Sequence, residues 1–247
     1  MLETVNLSKY FGGLKAVDAV NFKVNTNEKV GIIGPNGAGK TTFINLLSGL
    51  YPPTSGKVIY LRENITSMGI SERVQRGIVR TFQLASVFTD LKVVENIALA
   101  YLKFTNVYKS FKERFLGNFL SEEIIDKAFK ALKEVGLENK AYKQCSELSY
   151  GEQRKLEIMM ALTLDPKVIL IDEPFAGLSE VEIYEIIDLL KEHTRTKTMV
   201  IIDHKVSKVT SFVDRLCVMC EGKFLCEGKP DDVICDPKVR AIYWKYE

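Results

Sequence analysis

The sequence predicts an α/β fold: a strand–loop–helix core with a helical insertion in its middle. Three observations predict it. Val168 to Ile171 and Met199 to Ile202 are continuous apolar runs, the pattern of strands buried on both faces of a parallel sheet. Lys29 to Gly34, KVGIIG, is a similar short run that ends in glycine just before a helical pattern. The middle of the chain carries the three- and four-residue spacing of amphipathic helices instead. A length of 247 residues suits one large α/β domain, or one domain with a smaller lobe.

The elements follow in order. Val20, Phe22 and Val24 alternate with polar residues, as in a half-buried strand. The first ~60 residues read as strands and turns around such patterns. Lys40 to Leu50 predicts a helix with Phe43, Leu46 and Leu47 on one face. Tyr51-Pro52-Pro53-Thr54-Ser55-Gly56 is a turn cluster, and Lys57 to Leu61 a further strand. In the segment Tyr101 to Phe119, Tyr101, Phe104, Tyr108, Phe111 and Phe115 form a wide aromatic face, interleaved with Lys103, Lys109, Lys112 and Arg114. That face packs onto the helical lobe, or it touches a membrane subunit or lipid headgroups. Ser121 to Val135 predicts a helix through Ile125, Ala128, Phe129, Leu132 and Val135, capped by Ser121 and ended by Gly136. Glu180 to His193 reads as a helix between the two apolar runs, and Arg215 to Glu221 as a strand.

Composition narrows the function. Hydrophobic residues make up 46% and charged residues 27%, ordinary for a soluble globular chain. A net charge of +2 gives no global case for nucleic acid or an anionic membrane as partner. No apolar run approaches the ~18 residues of a membrane helix, and the start, MLETVNLSKYF, lacks the apolar core of a signal peptide. Five cysteines, an odd number, point to a reducing cytosol. Cys217 and Cys220 form a CxxC, but residues three apart on a strand face opposite sides, which argues against a metal site there.

Gly34-Pro35-Asn36-Gly37-Ala38-Gly39-Lys40-Thr41 fits the phosphate-loop pattern G-x-x-x-x-G-K-[ST], after a predicted strand and at the start of a predicted helix. Glycines let backbone N–H groups curl around phosphate oxygens. Lys40 supplies a point charge to the β and γ phosphates, and the Thr41 hydroxyl can ligate Mg²⁺. The helix that begins at Lys40 aims its positive end at the phosphates. These residues predict a bound nucleotide with Mg²⁺ and leave its identity to the remaining motifs.

Further along, Val168-Ile169-Leu170-Ile171-Asp172-Glu173 is an apolar strand that delivers two carboxylates at its end, where open α/β sheets bind ligands. One can hold hydrated Mg²⁺, and the other can polarise the attacking water. Earlier stands Leu148-Ser149-Tyr150-Gly151-Glu152-Gln153, in which Ser149 and Glu152 make a capping box at a helix start. This motif, with DEP following it, resembles the signature of ABC-type ATPases, whose usual form is LSGGQ; Tyr150 replaces the first glycine of the pair. The resemblance spans nearly the whole chain. Gln83 in Arg80-Thr81-Phe82-Gln83 matches the Q-loop glutamine, His204 after Ile202-Asp203 the switch histidine, and Phe11 in Tyr10-Phe11-Gly12 the aromatic that stacks on adenine.

The resemblance implies a P-loop NTPase (RecA-like) core with an N-terminal antiparallel β subdomain and an inserted helical subdomain. It places the core at 1–83 and 155–247 and the helical subdomain, with the signature motif, at 84–154. It implies head-to-tail dimers, homodimeric or with a related ATPase subunit, that sandwich ATP. Ser149 and Gly151 would then touch the partner's γ-phosphate, with Glu152 beside them, and Thr42 would join the phosphate-loop contacts. Glu173 would be the catalytic base and His204 would stabilise the γ-phosphate. Asp172 and Thr41 would hold Mg²⁺, and Gln83 would link the ion to a transport-subunit contact. The D-loop segment Gly177-Leu178-Ser179 departs from the family pattern, with serine where aspartate is usual.

Three segments, 9–17, 77–83 and 148–158, and the tail from Asp236 to Tyr243, resemble the ATPase of branched-chain amino-acid importers. Asp172 to Gly177 and Asp203-His204 resemble the ATPase that drives lipopolysaccharide export. The importer is the preferred expectation, the lipid exporter the alternative, and a soluble non-transport ABC protein a third. The importer reading implies transmembrane permease subunits, indirectly a substrate-binding protein, and a cytoplasmic location on the inner face of the cell membrane.

Overall fold

The computed structural model describes residues 1–81, 87–104 and 121–243. Gln83 and most of the aromatic–basic segment Tyr101 to Phe119 lie outside the described residues. The chain forms two compact units: residues 1–80, 167–176 and 190–247 in the first, and 81–166 with 177–189 in the second.

The first unit holds two sheets. β1 (Leu2–Phe11), β2 (Leu14–Val24), β4 (Ser55–Tyr60) and β5 (Glu63–Asn64) form an antiparallel sheet in the order β2-β1-β4-β5. The other sheet runs β10-β9-β3-β8-β7-β6, from β3 (Lys29–Ile33), β6 (Ile78–Arg80), β7 (Val168–Asp172), β8 (Thr198–Ile202), β9 (Arg215–Cys220) and β10 (Lys223–Gly228). All its pairs are parallel except the β9–β10 hairpin. The continuous apolar runs are explained: every residue of β7 and β8 is buried. Helix α1 (Lys40–Ser48) buries Phe43, Leu46 and Leu47 in one core with Leu2, Leu7 and Val20 of the antiparallel sheet and Val30, Leu170 and Val200 of the parallel one. Phe22, Phe43 and Phe224 form an aromatic triangle with centroids 5.4–5.6 Å apart. The helix stops two residues before the predicted end because Gly49 takes a left-handed conformation and its N–H caps the last carbonyls.

The second unit is helical. It contains α3 (Val93–Phe104), α4 (Glu122–Glu134), α5 (Tyr150–Thr163) and the greater part of α6 (Glu180–His193); the short α2 (Ile70–Gln75) belongs to the first unit. Ser121 caps α4 as expected, its Oγ accepting from the Ile124 N–H at 3.4 Å. α5 runs unbroken across positions 154 and 155, and the second compact unit extends to residue 166.

Candidate active site

The parallel sheet positions the first group of residues. β3, β8 and β7 are neighbours, with Ile32 opposite Ile202 and Ile202 opposite Asp172. Their carboxyl ends therefore share one edge. The phosphate loop leaves β3 there, Asp172 and Glu173 end β7, and Asp203 and His204 follow β8. Strand register thus brings the phosphate loop to carboxylates more than 130 positions further along the chain.

The loop has the shape the motif needs. Gly39 sits at φ 101°, and a Cβ there would collide with the Ala16 carbonyl oxygen and stand 3.1 Å from Met219 Cε. Lys40 Nζ donates to the carbonyls of Gly34 at 2.8 Å and Pro35 at 2.9 Å, which holds the ammonium over the loop. Burial lowers the Lys40 pKa, and the charges of Glu173, Asp172 and Asp203 oppose that shift. Lysine and the three carboxylates thus feel one another. Among the described residues no three His, Cys, Asp or Glu side chains gather into a protein-only metal cage. Mg²⁺ needs none, since it is usually held by one or two carboxylates, water and the substrate's phosphates. Thr41, Asp172 and a phosphate-binding loop fit that chemistry.

Glu173 and His204 make the second feature. His204 Nε2 lies 2.7 Å from Glu173 Oε1. Glu173 has φ 46°, a left-handed conformation that costs a side-chain-bearing residue about 1–2 kcal/mol. Its N–H donates to the Ile202 carbonyl at 2.8 Å. Asp203, buried between them in sequence, accepts from the Phe175 N–H at 3.0 Å and the Lys205 N–H at 2.9 Å. It pins both segments, and burial raises its carboxyl above the ordinary range. Sequence reasoning gave Asp203 no role, and only its place beside His204 could have drawn notice. Arg80 was missed as well. Its Nη2 pairs with Asp172 Oδ2 at 2.9 Å, with both side chains buried. No spacing rule reveals a pair 92 residues apart.

Phe11 ends β1 on the hairpin to β2. Its ring is 45% exposed, meets Tyr51 edge-on at 5.9 Å and lies under Lys9 Nζ at 5.3 Å.

The helical unit carries the other site residues. Ser149 Oγ accepts from the Glu152 N–H at 3.3 Å, and Glu152 Oε2 accepts from the Ser149 N–H at 3.0 Å. This is the capping box read from the sequence. Lys140 Nζ pairs with Glu152 Oε1 at 2.5 Å. Burial acts to raise Glu152, but Lys140 and the Ser149 N–H outweigh it and hold the carboxyl below its usual range. A Cβ at Gly151 would stand 2.6 Å from Glu182 Cδ, so any side chain there would displace the Glu182 carboxylate. Glu182 in turn accepts from Ser179 N–H at 2.9 Å and Ser179 Oγ at 2.7 Å. Ser179, where the family pattern has aspartate, is the cap of α6, its Oγ accepting from the Glu182 N–H at 3.4 Å while its hydroxyl donates to the Glu182 carboxylate, which an aspartate could not do. The Tyr150 ring packs against Gly177, its Cε1 3.2 Å from the position of a Cβ there.

Comparisons with known proteins agree with this arrangement. A family model described as ABC transporter matches residues 17–176. The probable branched-chain amino acid transport ATP-binding protein of Archaeoglobus fulgidus is 36% identical over 245 residues, covering 98% of this chain and 95% of that one. The crystal structure of the ADP conformation of an ATP-binding cassette of an ABC transporter superposes with a TM-score of 0.84 at 34% identity, covering 98% of each chain. A dimeric bacterial ABC transporter cassette gives 0.80 at 28% identity over 93% of this chain and 99% of that one. On family match, near-complete alignment and fold together, this chain belongs to the ABC transporter ATP-binding cassettes and is an ATPase.

Proposed function

We propose that this chain is the ATPase subunit of an importer for branched-chain or closely related amino acids. The hydrolytic reading is carried by the Glu173–His204 contact at the strand edge that also presents the phosphate loop. The substrate class is supported by the relative from Archaeoglobus fulgidus, aligned over nearly its whole length. Two such chains, or this chain and a related subunit, form an ATP-sandwich dimer, as the dimeric cassette with the same fold suggests. Its partners are transmembrane permease subunits and, through them, a substrate-binding protein. No helix among the described residues is long and apolar enough to cross a membrane; the chain works as a peripheral subunit on the inner face.

In this reading the loop N–H groups and Lys40 bind the β and γ phosphates, and Phe11 stacks on adenine. Asp172, Thr41 and Gln83 would hold Mg²⁺, and the ion would supply positive charge to the phosphates. Glu173 accepts a proton from the attacking water, and His204 orients the Glu173 carboxylate and supports the γ-phosphate. Ser149, Gly151 and Glu152 serve the partner's nucleotide from the helical lobe.

Glu173→Gln tests the chemistry. ATP still binds, turnover falls at least about a hundredfold, and a dimer accumulates with ATP on size-exclusion chromatography. Wild-type turnover in that variant would remove Glu173 from the base role. The substrate class is tested by co-purified permease subunits identified by mass spectrometry, and by ATP-dependent leucine uptake in vesicles. Stimulation by lipopolysaccharide instead would favour the exporter.

A further inference from the structure

We propose that Arg80 is a positioning residue for the magnesium carboxylate: its guanidinium tethers Oδ2 of Asp172 to the phosphate-loop helix, so that Mg²⁺ affinity depends on a side chain that does not touch the ion. The inference rests on the ATP·Mg²⁺ reading of the phosphate loop and adds a residue to it.

The geometry is specific. Arg80 is the last residue of β6, and β6 lies beside β7 in parallel register, with Arg80 opposite Leu170. Its side chain therefore reaches toward the strand end that bears Asp172. Nη2 meets Asp172 Oδ2 at 2.9 Å, while Nη1 donates to Asn45 Oδ1 in the middle of α1. One planar fork joins the end of β6, the end of β7 and the helix that begins at Lys40. Asp172 is fully buried and the Arg80 side chain is only 9% exposed. A buried ion pair is a weak device for stability, because desolvation offsets most of the attraction. What a two-armed guanidinium does supply is direction: one rigid group holds Asp172 Oδ2 with one arm and Asn45 Oδ1 with the other, a fixed span that a single lysine ammonium lacks. Carboxylates that bind metals are commonly oriented this way by a neighbouring donor.

The test uses the full chain and a fluorescent ATP analogue. Binding is measured in EDTA and then across a Mg²⁺ titration, for wild type, Arg80→Met, Arg80→Lys and Asn45→Ala. Removing such an orienting partner typically weakens metal affinity by about 10–100-fold. Arg80→Met is therefore expected to raise the Mg²⁺ midpoint about tenfold or more while keeping the metal-free affinity within about twofold. Arg80→Lys and Asn45→Ala shift the midpoint less, in the same direction. Turnover at saturating Mg²⁺ recovers more in Arg80→Lys than in Arg80→Met. An unchanged Mg²⁺ midpoint in Arg80→Met and Arg80→Lys overturns the proposal. So does a metal-free affinity that falls in step with the Mg²⁺-bound one in Arg80→Lys and Asn45→Ala, which would make the contact merely structural. A wild type that binds no nucleotide would instead overturn the ATP reading on which this one stands.

Discussion

At the scale of single residues, the candidate site divides by how its members were found. Lys40, Thr41, Asp172, Glu173 and His204 were legible because each stands in a short motif next to a strand or helix whose pattern is plain. Arg73 was not. It is fully buried on α2, and its guanidinium donates to the carbonyls of Leu46 at 2.7 Å, Leu47 at 2.8 Å and Ile65 at 2.9 Å, with Met68 and Thr66 beyond. Two of these acceptors are at the end of α1, so Arg73 satisfies carbonyls a helix cannot satisfy itself. Burial pushes its pKa down to about 10. Nothing in a sequence marks an arginine that binds backbone alone, since its partners are oxygens common to every residue. Arg73→Met strands several buried acceptors, and a loss of about 2–4 kcal/mol is expected in urea unfolding. Lys at the same position recovers only part, lacking the fork.

Elements were better predicted than their ends. Period-two and apolar-run patterns placed the strands, and caps placed α4 and α5, because those signals are local. Sheet order was not legible, since β3 at its centre pairs with β8 and β9, more than a hundred positions away. One side chain welds that order at the other end of the sheet. Arg215 on β9 meets Glu28 before β3 at 2.6 Å and Glu227 on β10 at 2.6 Å. Its Nη2 donates to the Lys23 carbonyl of β2 at 2.5 Å. Burial acts to raise Glu28, and Arg215 with the Asn25 amide outweighs it, leaving the carboxyl below 4.5. A depressed acid contributes stability that is complete above its unfolded pKa and is lost as pH falls through the folded value. Acid unfolding monitored by circular dichroism should therefore begin at higher pH in Arg215→Met than in wild type. At the helical lobe, Ser179→Ala loses about 1 kcal/mol with the cap of α6, and Ser179→Asp lowers the melting temperature too, because its carboxylate caps the helix but repels Glu182, to which the serine hydroxyl donates.

For the whole molecule, the chain folds as two compact units, and the first contains the phosphate loop and both carboxylates. ATP should thus stabilise the first unit by itself. At a hundred times its dissociation constant the gain is about 2.7 kcal/mol, read as a rise in melting temperature that Lys40→Ala abolishes. The two-unit division was legible only in outline, because a helix that ends one unit and a strand that resumes the other are separated by a few ordinary loop residues. Last, the left-handed backbone of Glu173 sets stability and turnover against each other. Asparagine tolerates that conformation better than glutamate, so Glu173→Asn should unfold later than wild type while failing to hydrolyse ATP. A directed-evolution campaign that rewarded only thermal hardiness would discard this glutamate early, and its prizewinners would be robust, well-folded and inert.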